Sequence, residues 1–455
     1  MSDASQDAAK PVSGAYRTYV LVLLTAVYTF NFIDRQIIGI LTPAIKADLQ
    51  LADWQLGVLQ GIAFAFLYTV LGIPIARLAD RYNRVTIVSV ALALWSGFTV
   101  ISAFAGGFIQ LALARVGVGI GEAGGSPPSH SLISDYYPKE KRAGALAIYA
   151  MGIPVGIAFA YLAGGWLTET FGWRTAFILV GSPGVLLAVL LKFTVKERPR
   201  GAFEDMSSQE GQIQKFETTS TSDASFLNGL KDEFIVVWRA AKHLLSIPTY
   251  MGVVIATTAI SFSSYASGSW IVAFYKRSHP DFEILYVYAA LGIIAGTAYA
   301  AGAFLGGFTV DKLAMKDKRM YGFVPAIALA ISIPFSLLVL WSSNTIVSLL
   351  AQIPVNMALG FYLGPSFALA QTLAPVSIRA LSTAIFFFIL NMIALGLGPT
   401  TAGFLSTFFT GSYGEEMALK LALTITSSAG LYGAWMYYQT GKRVPADWAK
   451  ATGEN

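Results

Sequence analysis

Residues 19–41 read YVLVLLTAVYTFNFIDRQIIGIL, an apolar run interrupted by one charged dipeptide, Asp34 and Arg35. The run has the length of about 20 residues that an α-helix needs to cross a bilayer. A charged side chain near the bilayer centre costs about 2.5–3.5 kcal/mol, and it is tolerated where it faces a protein interior or a water-filled cavity. The sequence therefore predicts an intramembrane functional site at this dipeptide.

The composition indicates a polytopic membrane protein. Of the 455 residues, 55% are apolar and 13% are charged, and the mean hydropathy is +0.60. Soluble domains are about 25% charged. The chain has no cysteine, which excludes disulfides and thiol chemistry, and its three histidines are too far apart in sequence to suggest a metal site. We expect no cofactor, no metal and no nucleic-acid partner, and no cleavable signal peptide is visible.

The apolar runs predict an all-α membrane protein with twelve transmembrane helices in two six-helix bundles. The predicted spans are 19–45, 55–79, 85–105, 108–134, 143–168, 173–195, 248–275, 284–311, 321–341, 345–372, 379–408 and 416–439. The expected units are a flexible N-terminal tail (1–17), a first bundle (18–196), a cytoplasmic linker (197–245), a second bundle (246–441) and a C-terminal tail (442–455).

The positions of lysine and arginine predict that both termini are cytoplasmic. With that topology most of the 31 basic residues fall in inner loops, tails and helix ends, as the positive-inside rule requires. The exceptions on the outer side are Lys46, Arg174, Lys276, Arg277 and Lys420. We expect a multi-pass protein of the plasma (inner) membrane that acts as a monomer.

Parts of the sequence recur in both halves. A Pro-x-x-x-Arg-Ala pattern follows the fourth predicted span of each half, with its arginine at Arg142 and Arg379. Asp80 and Arg81 correspond to Asp311 and Lys312 after the second span of each half. Internal repeats of this kind are typical of secondary transporters.

With these motifs the chain resembles the major facilitator superfamily. Its loop signature Gly-x-x-x-Asp-Arg-x-Gly-Arg appears at residues 76–84 as ARLADRYNR, and in part at residues 307–312 as GFTVDK. The resemblance implies a cytoplasmic latch that closes in the outward-open state. Its residues would be Asp80, Arg81, Arg84, Asp311, Lys312, Arg142 and Arg379. Alternatively, these charges only obey the positive-inside rule.

Spans 5 and 11 carry a loose form of the glycine/proline motif that family antiporters and exporters have. Small residues at such spacing allow close approach of helices. The motif residues are Gly152, Pro154, Gly156, Gly398 and Pro399. More narrowly, residues 31–35 (NFIDR) together with residues 121–123 (GEA) resemble the spinster branch, whose animal members export lysolipids and sphingoid phosphates. The Asp-Arg of span 1 also occurs in organic-anion symporters of the superfamily.

Arg115 and Glu122 add two charges to span 4. Their spacing places them on one face of a helix, about 10.5 Å apart along its axis. In the repeat they align with Gln352 and Leu359, so the fold does not require them. Since burial raises the pKa of a carboxyl and a nearby arginine lowers it, we expect Asp34 and Glu122 to be the proton-coupling groups.

Arg35 and Arg115 would then be counter-ions, or would hold the head group of an anionic substrate. A purely structural salt bridge is the alternative. The leading prediction is a proton-coupled secondary active transporter for an amphipathic lipid or lysolipid-like substrate, working by alternating access and not an enzyme. The alternatives are a symporter of a small organic anion and a non-transporting receptor of transporter fold.

Overall fold

The computed structural model describes residues 13–200, 202–203, 237–375 and 378–453. Every regular element in these residues is helical, and no strand occurs among them. The all-α fold expected from the apolar runs is therefore confirmed.

The helices fall into two halves on either side of the predicted linker. Those of the first half are α1 (Gly14–Leu49), α2 (Asp53–Gln60), α3 (Ile62–Arg81), α4 (Arg84–Ser102), α5 (Phe108–Glu122), α6 (Ser126–Tyr136), α7 (Lys139–Ala150), α8 (Gly152–Phe159) and α9 (Gly165–Thr194). The second half is preceded by α10 (Val237–Ser246), which overlaps the end of the predicted linker. The helices of the second half are α11 (Pro248–Ser278), α12 (Ile284–Ala314), α13 (Met320–Trp341), α14 (Thr345–Thr372), α15 (Arg379–Leu390) and α16 (Gly396–Thr452).

Two glycines turn the chain inside the longest helices. Gly172 in α9 has a φ of 82° and Gly414 in α16 has a φ of 75°. Each lies between two predicted spans, and this left-handed backbone conformation is one that glycine adopts without a steric penalty. The turns between spans 5 and 6 and between spans 11 and 12 are therefore single glycine kinks.

Eight helical stretches within the described residues are long and apolar enough to cross a membrane, or nine if α10 and α11 count as one bent span. The chain is therefore an integral multi-pass membrane protein, while the number of twelve spans stays a prediction. One reason is that predicted span 4 is divided into α5 and α6, each shorter than a bilayer requires.

The predicted glycine/proline motif lies where helices pack closely. A Cβ atom at Gly152 would lie 3.0 Å from the Thr25 carbonyl oxygen of α1, and one at Gly156 would lie 2.6 Å from that of Thr29. Pro154 is buried in the same helix, α8. The glycines of α8 therefore leave room for the backbone of α1, since a side chain would collide with it.

The second half repeats this packing with α16 against α11. A Cβ atom at Gly398 would lie 2.8 Å from the Phe262 carbonyl oxygen. The carbonyl of Pro399 accepts a hydrogen bond of 3.1 Å from Trp270 Nε1. The two halves thus pack equivalent helix pairs, α8 with α1 and α16 with α11, in their interiors.

The halves meet closely at one end of the bundle. A Cβ atom at Gly57 would lie 2.8 Å from the Pro399 carbonyl oxygen, and one at Gly61 would collide with the Gly396 carbonyl. We call this end, which holds Lys46 and Asp53, the sealed end. The opposite end, where α1 begins and α16 finishes, is called the termini end.

Candidate transport site

Asp34 and Arg35 lie in the middle of the unbroken helix α1. Successive residues of an α-helix point about 100° apart, so the two side chains leave α1 in different directions. Asp34 is completely buried, and the side chain of Arg35 is 15% exposed. The two charges of the dipeptide therefore lie in different surroundings.

Arg35 pairs with Glu122 of α5. Its Nε donates to Glu122 Oε2 at 2.6 Å, and the Glu122 side chain is fully buried. The guanidinium carbon also lies 4.5 Å from the ring centre of Tyr68 and 5.4 Å from that of Phe64, which are distances of cation–π contact. Arg35 is thus held by one carboxylate and by aromatic rings on α3.

Arg115 is directed at the backbone of α1. One of its terminal nitrogens donates to the Asp34 carbonyl oxygen at 3.3 Å, and its guanidinium lies 5.2 Å from the Phe64 ring centre. Its Nε has no hydrogen-bond partner among the described residues. Arg115 therefore lies in the cluster without closing a hydrogen bond to either carboxylate.

The Asp34 carboxylate has an unusual environment. Within the described part of the chain, neither of its oxygens has a hydrogen-bond partner, and the same holds for Oε1 of Glu122. Trp95 and Thr99 of α4 face the Asp34 carboxylate. The structure thus brings the four predicted charges together and pairs Arg35 with Glu122.

The sealed end carries a second group of charges, which join the two halves. Asp53 of α2 accepts two hydrogen bonds of 2.7 Å from Arg277 of α11, and one of 2.6 Å from Ser406 of α16. Lys46 lies 3.0 Å from Asp53 and 2.8 Å from Glu415. These ion pairs fasten α1 and α2 to the second half.

Sequence reasoning missed this group as a site, although it contained a signal. All five basic residues that the predicted topology placed on the outer side form ion pairs with acids. The pairs are Lys46–Asp53, Arg174–Asp48, Lys276–Glu169, Arg277–Asp53 and Lys420–Glu416. Two of these pairs, Lys276–Glu169 and Arg277–Asp53, join the two halves, so a basic residue on the unexpected side of a membrane was the available signal for this contact.

At the termini end, Arg84 makes its contacts inside the first half. It is buried and binds Asp135 of α6, Glu197 at 2.6 Å and Ser131 at 2.7 Å. Arg142 donates to the Ser134 carbonyl at 2.9 Å. Arg84 thus ties α4 to α6 and to the segment after α9.

The other latch residues whose side chains are described form no hydrogen bond or ion pair to the described part of the other half. Arg81, Asp311, Lys312 and Arg379 are exposed. The side chain of Asp80 lies outside what the structure describes. The latch between the halves stays a prediction.

The second half encloses a cavity of about 290 Å³ between α11, α12, α13, α14 and α16. Its lining combines aliphatic side chains with neutral polar ones, and no charged residue of the described chain lines it. The polar members include Ser263, Ser267, Ser332, Ser336, Gln352 and Asn356. Gln352 and Leu359, the counterparts of Arg115 and Glu122, both belong to this lining.

Comparisons with known proteins agree with this architecture. The sequence model of the Major Facilitator Superfamily matches residues 24–399. An MFS-type efflux pump of Mycolicibacterium smegmatis is 29% identical over 436 residues, which cover 95% of each chain. A probable galactarate/D-glucarate transporter of Bacillus subtilis is 28% identical over 312 residues, which cover 67% of each chain.

Among solved structures, one of a bacterial homolog of the human lysosomal transporter Spinster, inward-facing and unoccupied, superposes with a TM-score of 0.82. It is 29% identical, and the match covers 96% of this chain and 99% of that one. The resemblance read from the loop signature and from the NFIDR segment is thus confirmed, and so is the expectation of a transporter rather than an enzyme. The chain belongs to the major facilitator superfamily of transporters, in its spinster-like branch.

Proposed function

We propose that this protein is a proton-coupled secondary active transporter that moves an amphipathic, lipid-like substrate by alternating access. The proposal includes twelve spans in two bundles, 18–196 and 246–441, and a cytoplasmic termini end in the plasma membrane. The observation that carries it is Asp34, a fully buried carboxylate with no hydrogen bond to any described residue, beside the largely buried Arg35–Glu122 pair.

The proton-coupling part rests on the cost of a buried charge. An isolated carboxylate in an apolar interior is so unfavourable that it takes up a proton instead. Asp34 would carry that proton in the present state and release it when another state brings Arg115 or water to its carboxylate. Arg115 already contacts the Asp34 backbone, so a short movement would bring its guanidinium to the Asp34 carboxylate.

Glu122 would couple the proton to the substrate through Arg35. A proton on Glu122 weakens its bond to Arg35, and the guanidinium is then free to bind a phosphate or carboxylate head group in its planar fork. The head group and Glu122 would compete for one cation. Substrate binding and proton binding would therefore favour each other.

The amphipathic part rests on the contrast between polar and apolar linings. Arg35 offers a charge among the rings of Phe32, Phe64 and Tyr68, whereas the cavity of the second half is neutral and largely aliphatic. Tyr161 of the first half also lines that cavity. An anionic head at Arg35 and an apolar chain toward the second half would fit this arrangement.

Alternating access would use the sealed end as its outer gate. The pairs of Asp53 with Arg277 and of Lys46 with Glu415 join the two halves there. Breaking them would open this end while the predicted latch, including Arg81 and Asp311, closes the other. The present conformation would then be the inward-facing one.

A small organic anion is the second candidate substrate, because one relative is a probable galactarate/D-glucarate transporter and Arg35 suits a carboxylate equally well. Transport into proteoliposomes under an imposed pH gradient separates the candidates, with lysophospholipids, sphingoid phosphates and aldarates as test substrates. A non-transporting receptor would bind one of these without net flux.

The same assay tests the coupling. We expect Asp34→Asn and Glu122→Gln each to reduce pH-driven flux to background, while Asp281→Asn, at an exposed loop acid, leaves it unchanged. If both site variants transport normally under the gradient, the proposed coupling is wrong.

A further inference from the structure

Three buried polar groups without hydrogen bonds lie side by side where α1 meets α4. They are the Asp34 carboxylate, the indole N–H of Trp95 and the hydroxyl of Thr99, and these residues are 0%, 0% and 1% exposed. None of the three has a hydrogen-bond partner among the described residues. Buried polar groups are normally satisfied, and each exception requires an explanation.

The chemistry of the three groups is complementary. An indole N–H only donates, a hydroxyl donates or accepts, and a carboxylate accepts while a carboxylic acid also donates. Both α4 groups therefore donate to an ionised Asp34. When Asp34 is protonated, its O–H donates to Thr99 and its other oxygen still accepts from Trp95.

Two glycines, Gly121 of α5 and Gly125 just before α6, fix the position of Trp95. A Cβ atom at Gly121 would lie 2.6 Å from the Trp95 backbone nitrogen, and one at Gly125 would lie 3.3 Å from its indole ring. Any larger residue at Gly121 would displace α4. The glycine-rich junction of α5 and α6 therefore holds the indole in place beside Asp34.

The charged groups near Asp34 do not substitute for these donors. Arg35, its neighbour on α1, is engaged by Glu122, and Arg115 of α5 reaches the Asp34 carbonyl oxygen instead of the carboxylate. Glu122 itself is an acid and repels a second negative charge. Neutral donors from α4 are thus the groups that face the carboxylate oxygens.

We propose that Trp95 and Thr99 are positioning residues that set the proton affinity of Asp34 by donating hydrogen bonds to its ionised form. This inference rests on the proposed function only in that Asp34 exchanges a proton. The two α4 residues determine the pH at which that exchange occurs.

The test is an infrared titration of the purified protein, because it needs no substrate. The C=O band of a protonated carboxyl that disappears in Asp34→Asn reports Asp34. We expect Trp95→Phe and Thr99→Val each to move its midpoint to higher pH by roughly one unit, the worth of one hydrogen bond to a charged group. Thr99→Ser, which keeps the hydroxyl, should restore the wild-type midpoint.

Ser89→Ala is the matched control, since Ser89 of α4 has a buried hydroxyl with no hydrogen bond to the part of the chain that the structure describes and lies roughly 15 Å along the helix from Thr99. It should leave the midpoint unchanged. Unchanged midpoints in Thr99→Val, with the Asp34 band still present, would overturn this inference but not the proposed coupling. A missing Asp34 band at every pH would instead contradict the proton role of Asp34 itself.

Discussion

Helices α5 and α14 occupy equivalent positions in the two halves, yet they present opposite kinds of interior. Arg115 and Glu122 on α5 align with Gln352 and Leu359 on α14. The first pair belongs to a buried charged cluster, whereas the second pair lines a neutral cavity. One scaffold position thus accepts either chemistry, so the fold does not require the charges of α5, which agrees with the functional role proposed for them.

The packing around these helices sharpens the contrast. Gly156 of α8 lies against α1 in the first half, and Gly398 of α16 lies against α11 in the second. The scaffold is repeated, and only the side chains inside it differ. If aligned interior residues of α5 and α14 are exchanged, the change in unfolding free energy therefore reports the cost of burying the charges, because the helix packing stays the same.

The largest loss of stability is expected when Glu122 of α5 is replaced by leucine, the residue at the aligned position of α14. Glu122→Leu leaves Arg35 buried without its carboxylate, and removing one partner of a buried ion pair costs about 3–5 kcal/mol. Equilibrium unfolding in detergent measures the loss. The double variant Arg35→Leu/Glu122→Leu should recover most of it, because neither charge then remains, although transport stays absent.

A loss below about 1 kcal/mol for Glu122→Leu alone, the range of exposed ion pairs, would contradict this comparison. Such a small loss would mean that water reaches the Arg35–Glu122 pair. A buried charge pair would then not be what distinguishes the first half from the second.

A smaller loss is expected from the reverse exchange. Gln352→Arg places a charge in a cavity whose described lining contains no acid, and a charge at membrane depth costs about 2.5–3.5 kcal/mol. Gln352→Met, of similar length and uncharged, is the control and should unfold close to wild type. Equal stability of the two variants would mean that the cavity is hydrated enough to accept a charge.

The sequence was sufficient to predict the helices of the scaffold and which charged residues form the cluster. The apolar runs located helices such as α1 and α4, because the length of a bilayer-crossing helix is fixed. The spacing of Arg115 and Glu122 placed both on one face of α5, since that follows from helical geometry alone.

The choice of partners could not be predicted. Which arginine meets Glu122 depends on how α1 is rotated against α5, and α1 is also held by other helices, as in the contact of Thr29 with Gly156 of α8. Asp53 was missed because an acid at the start of a helix is ordinarily a local feature of that terminus. Trp95 and Thr99 resemble any other residues of an apolar helix until α1 lies beside them.

The smallest effect concerns a buried titratable side chain of the second half, His279. It follows α11 at the sealed end, is 7% exposed, and its Nδ1 lies 3.1 Å from Thr345 Oγ1. Burial lowers the pKa of His279, and Lys420 nearby acts in the same direction while Glu416 opposes it. The folded protein therefore prefers the neutral imidazole.

Because the unfolded chain binds the proton more readily, stability from His279 is present above its unfolded pKa of about 6.5 and is lost as the pH falls through the lower folded value. Unfolding midpoints measured from pH 7.5 to 5 should decrease less in His279→Gln than in wild type. His243→Gln, at an exposed position, should follow the wild-type curve. If His279→Gln follows the wild-type curve as well, protonation of His279 does not affect stability. The contrast between the second half and the charged first half then becomes stronger.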